Sequence, residues 1–195
     1  MSAAPAPVAR SAQVTILHRG YVGRRVASTV SYVEDGAARI IIDPGMVARD
    51  SAILEPLARL RVRPASITDV ILSHHHPDHT LRTALFPLAR VHDHWAIYEG
   101  DRWISRPAEG FSVSPSVRLW ETPGHTPQDI TTLVGTPREV FAFSHLWWNA
   151  RGPTPDPLAA DNRSIRRHRR RVLAVASTIV PGHGAPFRAR RDPSR

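Results

Sequence analysis

The stretch Ser73-His74-His75-His76-Pro77-Asp78-His79 is the most informative part of this sequence. It places four imidazoles and one carboxylate within six residues, directly after the apolar run Val70–Leu72. Imidazole nitrogens and carboxylate oxygens are the usual protein ligands of zinc and of neighbouring metals. In an extended segment alternate side chains point the same way, so the first and third histidines can address one ion. The Asp-His pair after the proline can address a second ion. The stretch therefore predicts a metal site that follows a buried strand.

The rest of the chain supplies short apolar runs of strand length and three helical segments. Strands are predicted by the β-branched or aromatic runs Val14–Leu17, Val26–Val33, Ile40–Ile42, Val70–Leu72, Val117–Trp120, Ile130–Val134, Val140–Phe143 and Thr178–Val180. Helices are predicted from Asp50 or Ser51 to about Leu60, from about 80 to 85, and from about 161 to 177, the last burying Ile165, Val172, Val175 and Ala176. Residues 149–160 contain three prolines and are predicted to form a long loop. Strands come first and then alternate with helices, which indicates a mixed α and β fold whose sheets are covered by helices.

Polar residues follow several of these apolar runs at the point where each run ends. Asp43 follows Ile40–Ile42, His145 follows Val140–Phe143, and His183 follows Thr178–Val180. His125 is reached from Val117–Trp120 through a Thr-Pro-Gly turn. Strand ends on one rim of a rigid sheet are places where a site is easily assembled. We therefore expect these side chains to share a site with the histidine-rich stretch.

Composition narrows the classes of protein to which the chain can belong. With 195 residues, 42% hydrophobic and 22% charged, it is typical of a globular protein, and we expect one domain over residues 1–195 with loose ends at 1–12 and 188–195. The absence of cysteine excludes disulfides, thiolate zinc ligands and a cysteine nucleophile. Neither an export signal nor an apolar run of about 20 residues is found, so we expect a cytoplasmic protein without a membrane partner.

The basic character of the chain is a weak indicator of its partners. The net charge is +9, and every one of the 26 basic residues is arginine, a pattern that a GC-biased genome also produces. Arg166–Arg171 holds five arginines in six residues. This run could contact phosphates, although a solvated helix face is the commoner explanation. An RNA-like partner is compatible with the charge but is not established by it.

Four motifs together resemble those of the metallo-β-lactamase superfamily. They are His74-x-His76-x-Asp78-His79, Ile42-Asp43-Pro44-Gly45, Thr122-Pro123-Gly124-His125-Thr126 and Pro181-Gly182-His183-Gly184. The resemblance covers most of the chain and implies an α/β (α+β) fold, a four-layer αββα sandwich of two mixed sheets covered by helices. It also implies a metal-dependent hydrolase with zinc as cofactor, in one or two ions, with manganese or iron as alternatives.

The resemblance assigns roles to individual residues. It implies a first ion held by His74, His76 and His125, and a second ion held by Asp78, His79 and His183. Asp43 would hydrogen-bond the histidine loop and fix the orientation of a ligand. Asp78 would also act catalytically by orienting a metal-activated hydroxide.

His145 stands where family members with two ions usually have a bridging Asp. A carboxylate can span two ions, whereas a neutral imidazole binds one ion through one nitrogen. If His145 is a ligand, we expect it to serve the second ion only. Loss of the carboxylate leaves a more positive site, which favours anionic substrates and predicts two metals of unequal affinity.

For the remaining aromatic and histidine residues the sequence predicts packing or pocket roles rather than metal binding. Trp147 and Trp148 could form the wall of a substrate pocket, although core packing or contact with a second subunit of a homodimer is an equal alternative. His75 points away from the site and is predicted to pack. His18, His92 and His94 lack partners at ligand spacing and are expected to be structural or exposed.

The sequence leaves several functions open. The main hypothesis is a hydrolase acting on an RNA-like phosphodiester or on a small ester, thioester or lactone. RNA cleavage is known within the superfamily, but 195 residues leave no room for the added RNA-binding domain of many such nucleases. The alternative is a catalytically silent module in which metal is structural and the arginine run binds nucleic acid or a protein partner. Iron-based redox chemistry is a third possibility.

Overall fold

The structure, a computed structural model, describes residues 8–189. Two mixed sheets dominate this part of the chain. The first sheet has the strand order of the sequence: β1 (Gln13–His18), β2 (Val30–Asp35), β3 (Ala38–Ile42), β4 (Asp69–Ile71), β5 (Arg90–His92), β6 (Ala96–Glu99) and β7 (Arg102–Ser105). The pairs β3–β4 and β4–β5 are parallel, and the other pairs of this sheet are antiparallel.

The second sheet is built from the later strands. In chain order they are β8 (Ser112–Ser114), β9 (Val117–Glu121), β10 (Ile130–Gly135), β11 (Val140–Ser144), β12 (Thr178–Pro181) and β13 (Phe187–Arg188). Their order in the sheet is β13-β12-β11-β10-β9-β8, and only the β11–β12 pair is parallel. The helices are α1 (Ser51–Arg59), α2 (Pro77–Thr80) and α3 (Asn162–Leu173), with short 3₁₀ turns at Pro64–Ser66 and Thr83–Leu85.

The alternation of side chains along the strands produces four layers. Ile40 and Ile42 of β3 point toward the second sheet and pack in one cluster with Leu119 and Phe143, whereas Ile41 points outward into a cluster with Leu57 of α1. A third cluster joins the outer face of the second sheet to α3. Buried apolar residues on both faces of β3 explain its uninterrupted isoleucine run. The predicted αββα sandwich of two mixed sheets covered by helices is thus confirmed.

The helices differ in detail from the sequence prediction. Asp50 precedes α1 but makes no side-chain capping hydrogen bond, and its carboxylate pairs with Arg82 instead. The helical turn expected at about 80–85 begins earlier, at Pro77, because proline suits the first position of a helix. α3 begins at Asn162, close to the predicted start, with Asp161 as its N-cap, but it ends at Leu173. Val175 is therefore 43% exposed, and the prediction that it is buried was wrong.

The ends of the described chain are more ordered than the sequence suggested. Backbone hydrogen bonds join Ala9 to Pro115 and Ala12 to Gly135, and Ala12 is fully buried. Arg188 belongs to β13, which pairs with β12. The expectation of loose ends was therefore wrong for 8–12 and 188–189, and its other residues lie outside the described range. Between residues 8 and 189, no helix has the length and apolar character needed to cross a membrane.

Candidate metal centre

The predicted metal-binding residues meet at one rim of the two sheets. The histidine-rich stretch follows β4 in the first sheet, and His125 follows β9 in the second. His145 and His183 follow β11 and β12, which are parallel neighbours and therefore end at the same edge. Loops from both sheets thus bring together imidazoles that lie more than 100 residues apart in sequence.

His74, His76 and His125 form the first group of candidate ligands. The Nδ1 atom of His76 lies 3.0 Å from the Nε2 atom of His74 and 3.2 Å from the Nε2 atom of His125. His74 and His125 are buried, whereas His76 is exposed. Three nitrogens so close together, one of them facing solvent, can converge on one ion while leaving a position open to solvent.

Asp78, His79 and His183 form the second group. The Oδ2 atom of Asp78 lies 3.6 Å from the Nε2 atom of His79 and 3.5 Å from the Nε2 atom of His183. His79 Nε2 is buried and has no hydrogen-bond partner within residues 8–189. An unpartnered buried imidazole nitrogen that faces a carboxylate and a second imidazole fits a metal ligand.

Four of the five histidines in the two groups are also held through their second ring nitrogen. The Nδ1 contacts are His74 to Ser73 Oγ (3.0 Å), His79 to Asp43 Oδ2 (2.9 Å), His125 to Asp156 Oδ2 (2.8 Å) and His183 to the Ala27 carbonyl (3.0 Å). Such contacts fix the tautomer and the ring orientation, and they are typical of metal-ligating histidines. The residues present therefore fit a site for one or two divalent ions.

Asp43 organises the histidine loop from the end of β3. Its carboxylate accepts hydrogen bonds from the Ser73 backbone N–H and the Ser73 hydroxyl, both at 2.7 Å, and from His79 Nδ1. Its backbone has a positive φ of 52°, a conformation that Asp tolerates better than most residues. Next to it, Gly45 lies so close to the Asp78 carbonyl that a Cβ would clash. Asp43 and Gly45 together fix the loop that carries Asp78 and His79 of the second group.

His145 lies between the two groups of ligands. Its ring stacks on that of His125 at a centroid distance of 4.1 Å, and its Nε2 lies 3.0 Å from His183 Nε2. A donor atom of His145 also lies within 4.8 Å of donors of His74 and His79. The structure thus places His145 near both groups rather than beside the second alone. Its role as a ligand stays a prediction.

The space occupied by the His145 ring depends on a neighbouring glycine. A Cβ on Gly182 would clash with the ring carbon Cδ2 and would lie 2.9 Å from Nε2. Contacts below about 3 Å are far shorter than the 3.5–4.0 Å optimum between carbon atoms, so the ring would have to move. Gly182 therefore leaves the room in which the imidazole sits.

Burial favours the neutral form of four imidazoles of this cluster. Burial lowers the pKa of His74 and His145 well below the ordinary value, and neighbouring imidazoles lower it further. Burial also lowers the pKa of His125 and His183. The neutral imidazole is the form that binds metal, so these four rings are prepared for ligation at neutral pH.

A cavity of about 370 Å³ opens beside both groups of ligands. His76, Asp78, His125, His145 and His183 face it, and its other walls are Val22, Val26, Pro77, Trp148 and Leu158. Trp147 is not among the lining residues, since it packs against Phe187 and under the Arg169 guanidinium in the core beneath the second sheet. Trp148 thus lines the cavity, whereas Trp147 follows the core-packing alternative.

Sequence reasoning missed Ser73 and Asp156, which position histidines. Ser73 contacts the Nδ1 atom of His74, and its serine type gave no metal-ligand signal. Asp156 lies in the loop 149–160 and is 3% exposed. The available signal was a single carboxylate in a proline-rich segment, since a charged residue that is buried there needs a partner.

The other histidines and the arginine run lie outside the centre. His75 turns outward to Asp93 and Trp95, as expected, while His92 is buried against Asp69. In α3, Arg163, Arg166, Arg167 and Arg170 are exposed, Arg169 is buried against the Leu146 carbonyl, and Arg171 pairs with Glu109. The arginine run is thus only partly a solvated face.

Comparison with known proteins defines the class. Residues 23–158 match the sequence model of the metallo-beta-lactamase superfamily. The chain belongs to the metallo-β-lactamase superfamily, whose members are typically hydrolases that bind one or two metal ions.

Among curated proteins, the chain is similar to metallo-beta-lactamase domain-containing protein 1 of several animals. The human protein is 32% identical over 164 residues, covering 80% of this chain and 62% of the human protein. The rat protein is 31% identical over 198 residues, covering 91% of this chain and 77% of the rat protein. The chain thus spans less than two thirds of the length of its human relative.

Solved structures share the fold at lower sequence identity. A candidate metallo-beta-lactamase of Thermotoga maritima has a TM-score of 0.73 at 23% identity, covering 92% of this chain and 100% of that one. An N-acyl homoserine lactone lactonase has a TM-score of 0.65 at 18% identity, with 92% and 94% covered. A protein solved in a di-iron-bound form has a TM-score of 0.64 at 20% identity, with 91% and 99% covered. At these identities the likeness concerns the fold.

Proposed function

We propose that this protein is a metal-dependent hydrolase that acts on a small ester, thioester or lactone with an apolar acyl group. The observation that carries the proposal is the meeting of two three-residue ligand groups at one cavity of about 370 Å³. A cavity of this size lies within the range of small-molecule sites and is too small to enclose a folded RNA.

The ligand groups define what each ion would contact. His74, His76 and His125 would hold one ion, and Asp78, His79 and His183 the other; zinc is the proposed metal because imidazole and carboxylate suit it. When bound, such an ion supplies hydroxide from a coordinated water near neutral pH and polarises the scissile carbonyl. His145 would be an additional ligand, since its imidazole lies near both groups.

The walls of the cavity indicate the substrate class. Val22, Val26, Trp148 and Leu158 offer apolar surface to an acyl chain, while Asp78 contributes a carboxylate to the lining. Among residues 8–189, Asp78 is the only carboxylate that lines the cavity, so it is the candidate for orienting the attacking hydroxide. Substrates would therefore bind with the carbonyl toward the histidines and the apolar group toward Trp148.

A phosphodiester is the second candidate, and charge favours it. Two divalent ions facing one carboxylate leave about three positive charges before hydroxide binds, which suits an anionic group. Exposed arginines on α3 would add to the attraction for RNA. A short single strand could reach the centre because His76 is exposed.

The experiment compares His76→Ala with His75→Ala as a matched neighbour. Zinc-loaded protein and both variants are assayed on a thioester, a lactone, a bis-aryl phosphodiester and a short RNA. We expect turnover of the carbonyl substrates, its loss in H76A and its retention in H75A. Turnover by metal-free protein, or equal activity of the two variants, would refute the proposal. Salt-dependent RNA binding without turnover would favour the silent binding module.

A further inference from the structure

Asp156, in the loop 149–160, makes several hydrogen bonds through both its carboxylate and its backbone. Its Oδ2 atom lies 2.8 Å from His125 Nδ1 and accepts a hydrogen bond of 2.9 Å from Trp148 Nε1. Its Oδ1 accepts from the Leu158 backbone N–H at 2.8 Å. Its own backbone N–H and carbonyl both bind the side chain of Asn162, each at 2.8 Å. Asn162 therefore fixes the backbone of Asp156. The carboxylate in turn binds the His125 ring, the Trp148 indole and the Leu158 backbone N–H.

The groups it contacts belong to two parts of the centre. His125 is in the first group of ligands, whereas Trp148 and Leu158 are walls of the cavity. One oxygen atom thus joins a candidate metal ligand to a cavity wall. Because an ionised carboxylate only accepts hydrogen bonds, His125 must carry its proton on Nδ1, which leaves the Nε2 lone pair facing His76.

The loop around Asp156 is also fastened to the segment of His125. The Ala160 N–H donates to the His125 carbonyl at 3.0 Å, and the Asp161 N–H donates to the Gly124 carbonyl at 2.9 Å. Asn162 begins α3, whose Ile165 is buried in the core. A displacement of His125 would therefore be transmitted to the cavity wall through short, buried contacts.

We propose that Asp156 is a positioning residue that couples metal affinity of the first ligand group to the position of the Trp148 wall. The inference rests on the proposed function only in requiring that His74, His76 and His125 bind metal. It predicts that metal binding changes the environment of the Trp148 indole, and that losing the carboxylate weakens metal binding and uncouples the indole from it.

The test measures Zn²⁺ affinity by competition with a chromophoric chelator and records tryptophan emission during the titration. The variants are Asp156→Asn, which removes one acceptor oxygen at constant size, Trp148→Phe, which removes the indole N–H donor, and Asp101→Asn as an exposed control. We expect D156N to bind Zn²⁺ about 10–100-fold more weakly, as is usual for such partners of metal ligands. We expect D101N to match the wild type.

The emission signal separates positioning from general stability. The zinc-induced change in emission should be present in the wild type, absent in W148F, and absent in D156N even at saturating Zn²⁺. Wild-type Zn²⁺ affinity in D156N, or an unchanged emission response in W148F, would overturn the inference. If D156N fails to fold, the W148F titration still decides whether the indole reports metal binding.

Failure of the proposed function gives a different result. Wild-type protein without turnover of any substrate, but with weaker Zn²⁺ binding in D156N, would refute the hydrolase proposal and leave the coupling intact. A KM increase in W148F at constant kcat would support the proposed function, since it assigns the wall to substrate binding.

Discussion

Replacement of Asp43 by Asn tests how the loop is built. The carboxylate accepts three hydrogen bonds, two from Ser73 and one from His79, and the residue is only 7% exposed. An amide of the same size offers one acceptor oxygen, and its NH₂ group must face at least one of these donors. Asn tolerates the positive φ at this position, so the substitution changes the hydrogen bonds and leaves the backbone unstrained.

The expected cost follows from these contacts. A buried donor left without its charged acceptor costs about 1.5–3 kcal/mol, so the D43N variant of the metal-free protein should unfold with a free energy lower by about this amount. His79 also loses the contact that fixes its tautomer, so the second ligand group should bind metal about 10–100-fold more weakly. The first group shares the Ser73 contact and should be affected less.

Urea denaturation of the metal-free proteins and zinc titration provide the two readouts. Asp101→Asn, which lies in an exposed turn, is the matched carboxylate-to-amide control. An unfolding free energy within about 0.5 kcal/mol of the wild type, the range of ordinary surface substitutions, would refute the reasoning about stability. Two zinc ions bound as tightly as in the wild type would refute the reasoning about His79.

Two further predictions concern the imidazole cluster. Acidifying the metal-free protein from about pH 7.5 to about pH 5.5 should destabilise it. In the unfolded chain the histidines take up protons near pH 6.5, whereas in the folded protein the histidines with lowered pKa stay neutral. Each such histidine lowers the unfolding free energy by up to about 1.4 kcal/mol per pH unit. Burial raises the pKa of Asp129 to about 7, so this carboxyl stabilises the fold as the pH falls through 7 and partly offsets the histidines. Denaturation across this range should therefore show an unfolding free energy that still rises with pH, but less steeply. A flat or inverted slope would contradict this account. Replacement of His145 by Asp should restore a bridging carboxylate and raise the zinc retained after dialysis toward two equivalents; metal analysis showing no gain would argue against a position between the two ions.

The sequence predicted the parts of the fold in which pattern and burial agree. The isoleucine run of β3 and the β-branched or aromatic runs of β10 and β11 were recognisable as strands. Strands β5 to β8 were missed because they are only three or four residues long and carry charged or exposed side chains, so their composition gives no strand signal. They are held by pairing with neighbouring strands, which a local pattern does not reveal.

The residues of the candidate site were likewise predictable only in part. Residues whose chemistry marks them, such as His74 and Asp78, were found from type and spacing and are brought together by the fold. Asp156 was missed because its importance comes from a contact with His125 across 31 residues. The two adjacent tryptophans could not be told apart by sequence, since only the course of the chain after β11 turns one to the cavity and the other to the core.

The clearance between Gly182 and the His145 ring has a consequence for how this centre can change over time. The missing side chain at one position and the bulky ring at the other form a single steric unit, although they lie 37 positions apart. In any lineage in which His145 is replaced by Asp, position 182 can accept a residue larger than glycine. A mutant library that randomises one of the two positions while holding the other constant will therefore miss the combinations that keep this rim packed.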